Sequence, residues 1–138
     1  NMAHWLYPAN TKLYDVFTAF SQPLLYWPQN SKVALQDTIY FYLAKPHQYL
    51  AYTAQVLQTD FVLSDIFSEV KEFVKTTQPA PEGDKAFMQL KPCAKFTSEN
   101  PNLTLTALKA NGLNGMLMGP RKLDNNPQLL QYIQQVTA

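Results

Sequence analysis

The sequence is poor in cysteine, histidine and glycine, and each shortage excludes a class of site. A single cysteine, Cys93, among 138 residues rules out a disulfide within the chain. The two histidines, His4 and His47, combine with that cysteine in no spacing typical of a zinc site. None of the four glycines clusters into a phosphate-binding loop, and no Gly-x-Ser-x-Gly motif occurs. The sequence therefore predicts no catalytic centre, no metal site and no cofactor.

Charge is also scarce, since charged residues make up 15% of the chain and the formal net charge is +1. A protein that holds nucleic acid by backbone charge alone usually carries a strong basic stripe. Nucleic-acid binding would therefore need a specific pocket, a local patch or a companion domain. No apolar run reaches the roughly 20 residues that span a bilayer, and no signal peptide opens the chain. We expect a cytoplasmic protein without membrane contact.

The length fits one domain with a hydrophobic core, which we assign to residues 3–138. Asn1 before Met2 resembles the remnant of a cleaved tag. A helical pattern runs almost to residue 138, which is compatible with a domain cut from a longer chain.

The clearest pattern in the sequence is an alternation of side chains between Thr38 and Leu43. The even-numbered residues Thr38 to Tyr42 share one face, and the odd-numbered residues Ile39 to Leu43 form a purely apolar one. Such a strand is buried on one face and lines a site on the other, or is buried on both. Residues 49–58 follow closely and predict an antiparallel hairpin.

Shorter patterns surround this hairpin. Before it we predict a strand over residues 3–7 that Pro8 stops and a helix over 13–20. After it we predict a helix capped by Ser64 or Asp65, whose apolar stripe is Ile66, Phe67, Val70, Phe73 and Val74. A loop over 76–84, a strand over 85–96 with Pro92 at an edge or bulge, and helices capped by Thr104 and Asn126 complete the chain. Strands and helices do not alternate regularly, which favours α+β over a parallel sheet. We predict a small, strongly curved mixed or antiparallel sheet, or partly open barrel, with short peripheral helices.

Several segments, taken in order, resemble EVE-type domains, a branch of the PUA-like superfamily. The matching stretches are residues 5–10 with 14–15 ("WL(I)PAN…YD"), 27–29 ("W-x-Q"), 37–46 ("GD-x-VYIY-x-x-x-P"), 49–59, 103–121 ("LSL-x-x-L…GL-x-G…GP-R") and 130–133 ("L-x-x-YI"). The sequence departs from the pattern at Gln36, where a glycine usually precedes the aspartate, and at Leu43-Ala44, which replaces a Val-Gly pair.

The resemblance implies a PUA-like fold, a small bent β-barrel with peripheral helices. It implies a non-enzymatic reader of a modified nucleobase in DNA, bacterial and associated with restriction, with a fused or separate nuclease module as a partner. Two alternatives stay open: an RNA-binding domain, and a protein-interaction or regulatory module that uses the same fold. The near-neutral charge favours the last of these.

A pocket for a modified base needs an aromatic wall for stacking and polar groups for the base edge. The candidate base-binding residues are Trp5, Tyr7, Asn10, Trp27, Gln29 and Tyr42, and the candidate phosphate-binding residues are Lys45, Arg121 and Lys122. Core packing is the competing interpretation of the aromatic residues, and helix capping that of Asn10. An open pocket walled by Trp5 or Trp27 favours the reader, whereas two packed tryptophans favour the interaction module.

Overall fold

The computed structural model describes residues 2–75 and 85–138, which form a six-stranded mixed sheet with short helices. The strands are β1 His4–Ala9, β2 Leu25–Pro28, β3 Thr38–Leu43, β4 Tyr49–Val62, β5 Ala86–Lys95 and β6 Arg121–Lys122. The helices are α1 Val16–Ala19, α2 Leu63–Lys71, α3 Leu105–Ala110 and α4 Pro127–Val136, with 3₁₀ turns at Pro101–Leu103 and Leu123–Asn125. The predicted loop 76–84 lies outside the described residues. None of these helices is long and apolar enough to cross a membrane.

The strand order is β2-β5-β4-β3-β1-β6, and β3 lies near the centre. β3 pairs antiparallel with β4, as predicted, and parallel with β1. Its odd-numbered side chains, including Phe41, pack into a first core, and Tyr40 and Tyr42 pack into a second core on the other face. The strand is therefore buried on both faces, the second of the two arrangements that its sequence allowed.

The sheet curls strongly around the first core. Three strands lie between β2 and β1 in the sheet, yet the Tyr7 hydroxyl on β1 accepts a hydrogen bond of 2.9 Å from the main-chain N–H of Asn30, just after β2. The ring of Trp27 on β2 lies 5.0 Å from that of Phe41 on β3. The predicted α+β fold with a strongly curved sheet is confirmed.

Helices α3 and α4 cover the outer face of the sheet. Leu108 on α3 and Ile133 on α4 are fully buried against Leu6 and Leu50. Both predicted caps are present: the Thr104 hydroxyl accepts from the N–H of Ala107, and the Asn126 carboxamide accepts from the N–H of Leu129.

Two predicted boundaries near the amino terminus are wrong. Strand β1 does not stop at Pro8 but continues to Ala9, because β6 pairs only with Trp5 and Leu6 and so requires no N–H from Pro8. The helix predicted over residues 13–20 is shorter and begins after Asp15, whose carboxylate caps it. It leaves Phe17 40% exposed, although the helical spacing of Leu13, Val16, Phe17 and Phe20 predicts that this side chain faces the core.

Helix α2 begins earlier than predicted, at Leu63, directly after β4 and without a side-chain cap. Ile66 and Val70 are buried as the stripe required, but Phe67 is 47% exposed. Of the edge position and the bulge predicted for Pro92, the structure shows the bulge: the register places Ala54 opposite Pro92 and Thr53 opposite Ala94, so Cys93 has no partner across the ladder.

The turn into β3 explains the glycine that the family pattern places before the aspartate. Gln36 has φ = 70°, a left-handed conformation that glycine adopts with less strain. Asp37 is 1% exposed, and its carboxylate accepts bonds of 2.9 Å from the main-chain N–H groups of Ala3 and Ala34 and from the indole Nε1–H of Trp5. The aspartate therefore joins the start of β1 to the start of β3.

Candidate functional site

A half-open cleft of about 320 Å³ lies where the edge strand β6 leads into helix α4. We call it the β6 cleft. Its lining residues are Arg121, Lys122, Leu123, Asn125, Asn126 and Leu129. This volume is near the lower limit for small-ligand sites, so the cleft suits one group of modest size.

Arg121 is held in place by its own chain. Its guanidinium donates hydrogen bonds to the main-chain carbonyls of Asn114 and Met116. Both partners are neutral, so they orient the planar fork without cancelling its charge, and its remaining N–H groups are still available for a ligand. In the register Arg121 lies opposite Leu6, on the outer face of the sheet.

Lys122 is the second cation of the cleft and pairs with Trp5 across the β1–β6 ladder. Within residues 2–75 and 85–138, the one ion pair joins His4 to Asp124, at 3.1 Å, and involves neither cation of the cleft. Desolvation acts to raise the pKa of Asp124, but hydrogen bonds from the main-chain N–H and ring of His4 outweigh it, and the pKa falls below its usual range. The carboxylate beside the cleft is therefore engaged with His4 rather than with Arg121 or Lys122.

The remaining wall of the cleft combines amides with an apolar floor. Leu123 and Leu129 are each 1% exposed and form that floor. The Asn126 carboxamide is already used, because it donates to the Gly112 carbonyl at 2.9 Å and caps α4. Asn125 is exposed beside it. Asn125 was not among the residues predicted from the sequence for the site. Its position shortly after the two consecutive cations Arg121 and Lys122 was the one feature that could have pointed to it.

Three of the predicted base-binding aromatics lie inside the protein. Trp5 and Tyr7 are each 2% exposed and belong to the first core, and Tyr42 is 5% exposed and belongs to the second. Burial raises the pKa of Tyr7 to about 12. The hydrogen bond from the N–H of Asn30 acts to lower this pKa, and the negative charge of Asp37 acts to raise it further. In this conformation their rings contribute to packing.

Trp27, Gln29 and Asn10 are more accessible. Trp27 is partly buried, with its ring 5.2 Å from that of Tyr14 in an edge-to-face contact. The Gln29 carboxamide oxygen accepts from the N–H of Asp60 at 2.7 Å, and its nitrogen donates to the Asp60 carboxylate at 3.3 Å. Asn10 is exposed, and its side-chain oxygen accepts from the N–H of Lys12. It forms a turn after β1 rather than a helix cap.

Lys45 lies apart from the other two candidate phosphate ligands. It is exposed in the turn after β3, next to the Ala9 end of β1, whereas Lys122 pairs with Trp5. Trp5 and Ala9 are four residue steps apart along β1, which corresponds to about 13 Å. Arg121 and Lys122 thus line one cleft from opposite faces of β6. Lys45, and Asn10 directly after Ala9, lie at the other end of β1.

The surface around Lys45 includes an aromatic pair that the sequence did not single out for a site. The exposed ring of Phe17 lies 5.3 Å from His47, two residues after Lys45. In the described part of the chain, no group of three or more His, Cys, Asp and Glu side chains could hold a metal ion.

No family model and no curated protein matches the sequence. Solved structures do match over nearly the whole chain. ASCH from Zymomonas mobilis is 12% identical with a TM-score of 0.67, covering 98% of this chain and 96% of that one. A hypothetical protein from Leishmania major is 12% identical with a TM-score of 0.65, covering 99% and 96%.

Human THYN1, solved in complex with 5-methylcytosine-containing DNA, is 10% identical with a TM-score of 0.64, and the match covers 97% of this chain and 96% of THYN1. Identities this low establish the fold alone. The architecture of this chain is therefore the PUA-like fold shared by ASCH domains and THYN1, as the order of its sequence motifs predicted.

Proposed function

We propose that this chain is a nucleic-acid-binding module, not an enzyme, and that it reads a modified nucleobase in DNA. The observation that carries the proposal is the β6 cleft, where Arg121 and Lys122 lie together without a carboxylate partner in the described residues. A phosphate fits this cleft, because the guanidinium fork of Arg121 can hold two phosphate oxygens at once and Lys122 adds a second positive charge. The likeness in fold to THYN1, a protein solved with methylated DNA, supports nucleic acid as the anion.

The base is proposed to stack at Trp27, with Asn10 and Gln29 as partners for its polar edge. Trp27 is the accessible tryptophan of the two, and contacts with Tyr14 and Phe41 hold its ring in one orientation. A ring held in advance loses little freedom when a base stacks on it. Trp5, Tyr7 and Tyr42 support this arrangement from within the cores, and Lys45 is proposed to contact phosphate farther along the strand.

Because the net charge is small, we expect base stacking to contribute more to the binding free energy than contacts with phosphate charge. With a formal charge of +1 and two cations in the cleft, the salt dependence of binding should correspond to only a few phosphate contacts. A slope typical of six or more contacts would show that backbone charge dominates.

A nuclease module, fused or separate, is proposed to act on the DNA that this domain selects.

The test is a fluorescence-anisotropy titration of the purified chain with matched duplexes and single strands of DNA and RNA. Each is prepared unmodified, with methylated cytosine and with methylated adenine. We expect tighter binding to one modified DNA than to its unmodified counterpart. Equal affinity for all oligonucleotides contradicts base reading. Tighter binding of RNA than of DNA shows that the wrong nucleic acid was proposed. If the chain binds none of the oligonucleotides, the proposal as a whole is contradicted.

Variants in the β6 cleft test the phosphate role. Lys122→Ala should weaken binding of modified and unmodified strands by a similar factor, because phosphate contacts position the ligand and carry little sequence information. Arg121→Lys keeps the charge but removes the fork, and should act in the same direction. Lys91→Ala, an exposed lysine on β5, is the matched control and should leave affinity unchanged. Equal effects of Lys91→Ala and Lys122→Ala would show that the cleft is not the phosphate site.

A protein-interaction module is the second candidate, and the burial of Trp5 favours it. A pocket walled by that tryptophan would have required an exposed ring face. If the chain binds no oligonucleotide, this candidate takes precedence.

A further inference from the structure

We propose that residues 113–119, which we call the methionine loop, form an apolar wedge that enters the base stack of duplex DNA beside the phosphate that the β6 cleft holds. This inference rests on the proposed function, because a wedge has a purpose only if the β6 cleft engages DNA.

The methionine loop carries the two most exposed large apolar side chains among the described residues. Met116 is 74% exposed and Met118 is 80% exposed. Between them Leu117 points back and packs against the second core. Side chains of this size and exposure lose contact with water when they are covered, so the loop is suited to inserting into an apolar environment.

The loop is fixed at several points, although its methionines are exposed. Leu113 is 3% exposed and anchors its beginning. Gly115 adopts φ = 67°, which lets the chain reverse. The Arg121 guanidinium then bonds to the carbonyls of Asn114 and Met116, on either side of that glycine. The two methionines are therefore presented on a loop with a defined conformation.

The same arginine links the methionine loop to the β6 cleft, and this link identifies the partner. DNA whose phosphate is held at Arg121 would pass the methionine loop, because the same guanidinium is bonded to the main-chain carbonyl of Met116. Methionine is among the side chains that architectural DNA-binding proteins insert between base steps, and its sulfur makes favourable contacts with aromatic rings. An apolar protein partner would instead have to cover the uncompensated charges of Arg121 and Lys122. The observations therefore favour a polyanion with stacked aromatic bases.

A Met116→Ser, Met118→Ser double variant tests the wedge without removing the loop's anchors, since the bond to Arg121 uses the main-chain carbonyl of residue 116. Affinity is measured for the best modified duplex and for its isolated modified strand. A 2-aminopurine next to the modified base reports unstacking in the duplex. Phe67→Ser, on the exposed face of α2, is the control for loss of surface apolar area.

We expect the double variant to lose about tenfold or more in affinity for the duplex, because opening one base step costs a few kcal/mol that the wedge no longer repays. Affinity for the single strand, where no stack has to be opened, should be unchanged, and the 2-aminopurine signal of the wild type should be lost. Three results overturn the wedge and leave the proposed function intact: a duplex affinity that the double variant does not change, an equal loss of affinity for duplex and single strand, or a wild type that binds only single strands. A wild type that binds no oligonucleotide overturns both.

Discussion

The buried carboxylate of Asp37 allows the most quantitative prediction. It is 1% exposed and accepts three hydrogen bonds, each of 2.9 Å. Asp37→Ala leaves the N–H groups of Ala3 and Ala34 and the indole N–H of Trp5 without that acceptor. The indole N–H is buried, and losing its acceptor costs about 1–3 kcal/mol. The bonds from Ala3 and Ala34 are partly buried and contribute about 0.5–1.5 kcal/mol each, so the free energy of unfolding should fall by at least about 2 kcal/mol.

A graded series makes this prediction specific. One carboxylate oxygen of Asp37 accepts from Trp5 and Ala34, and the other accepts from Ala3. Asp37→Asn can keep the first oxygen and places an NH₂ group against the N–H of Ala3, so its cost should be intermediate, about 1–2 kcal/mol. Asp65→Ala, at an exposed site on α2, should change stability by about 0.5 kcal/mol or less.

Urea unfolding followed by circular dichroism measures all three variants. A loss below about 1 kcal/mol for Asp37→Ala would refute the reasoning, because water or a rearranged chain would then be satisfying the three donors. Equal losses for Asp37→Asn and Asp37→Ala would show that the arrangement of the oxygens is not what matters.

Three further predictions address the turn, the base site and alkaline stability. Gln36→Gly relieves a left-handed backbone and should raise the unfolding free energy by up to about 1 kcal/mol in urea, whereas a loss would show that the turn is not strained. Trp27→Ala should weaken DNA binding by about 1–3 kcal/mol in anisotropy titrations, with Trp27→Phe in between because a ring still packs on Phe41; an unaffected Trp27→Ala variant would contradict stacking there. Burial raises the pKa of Tyr7 to about 12, so its neutral form stabilises the fold fully below the unfolded pKa of 10.0, and this contribution is lost as the pH rises towards 12. Unfolding free energy should therefore fall more steeply over that range for the wild type than for Tyr7→Phe, and parallel curves would contradict it.

The elements that the sequence predicted correctly are those specified by local chemistry. Alternation between Thr38 and Leu43 predicts a strand with at least one buried face whatever surrounds it. Thr104 and Asn126 cap helices through bonds to residues three positions away. The resemblance to EVE-type domains added the bent-barrel architecture, which no local pattern contains.

The features that the sequence did not predict depend on distant neighbours. Pro8 remains in β1 because β6, more than a hundred residues later, is only two residues long. Phe17 is exposed because the chain turns at Tyr14, which bridges to Val74, before α1 begins. In the candidate site, the sequence proposed Arg121, Lys122 and Lys45 together as phosphate ligands, and only the first two line the cleft. The carbonyls that orient Arg121 lie in a loop whose path follows from tertiary packing.

The two tryptophans allow one direct test of the central claim, that the domain holds a modified base against Trp27. In a ¹⁵N-labelled sample the indole N–H groups of Trp5 and Trp27 give two separate signals, assigned with Trp27→Phe. Trp5 is buried and bonded to Asp37, whereas Trp27 is partly exposed. Titration with the preferred modified DNA should shift the Trp27 signal strongly and the Trp5 signal little, and unmodified DNA should produce a smaller shift. Saturated binding that leaves the Trp27 signal in place, or moves it equally with both DNAs, would contradict the account.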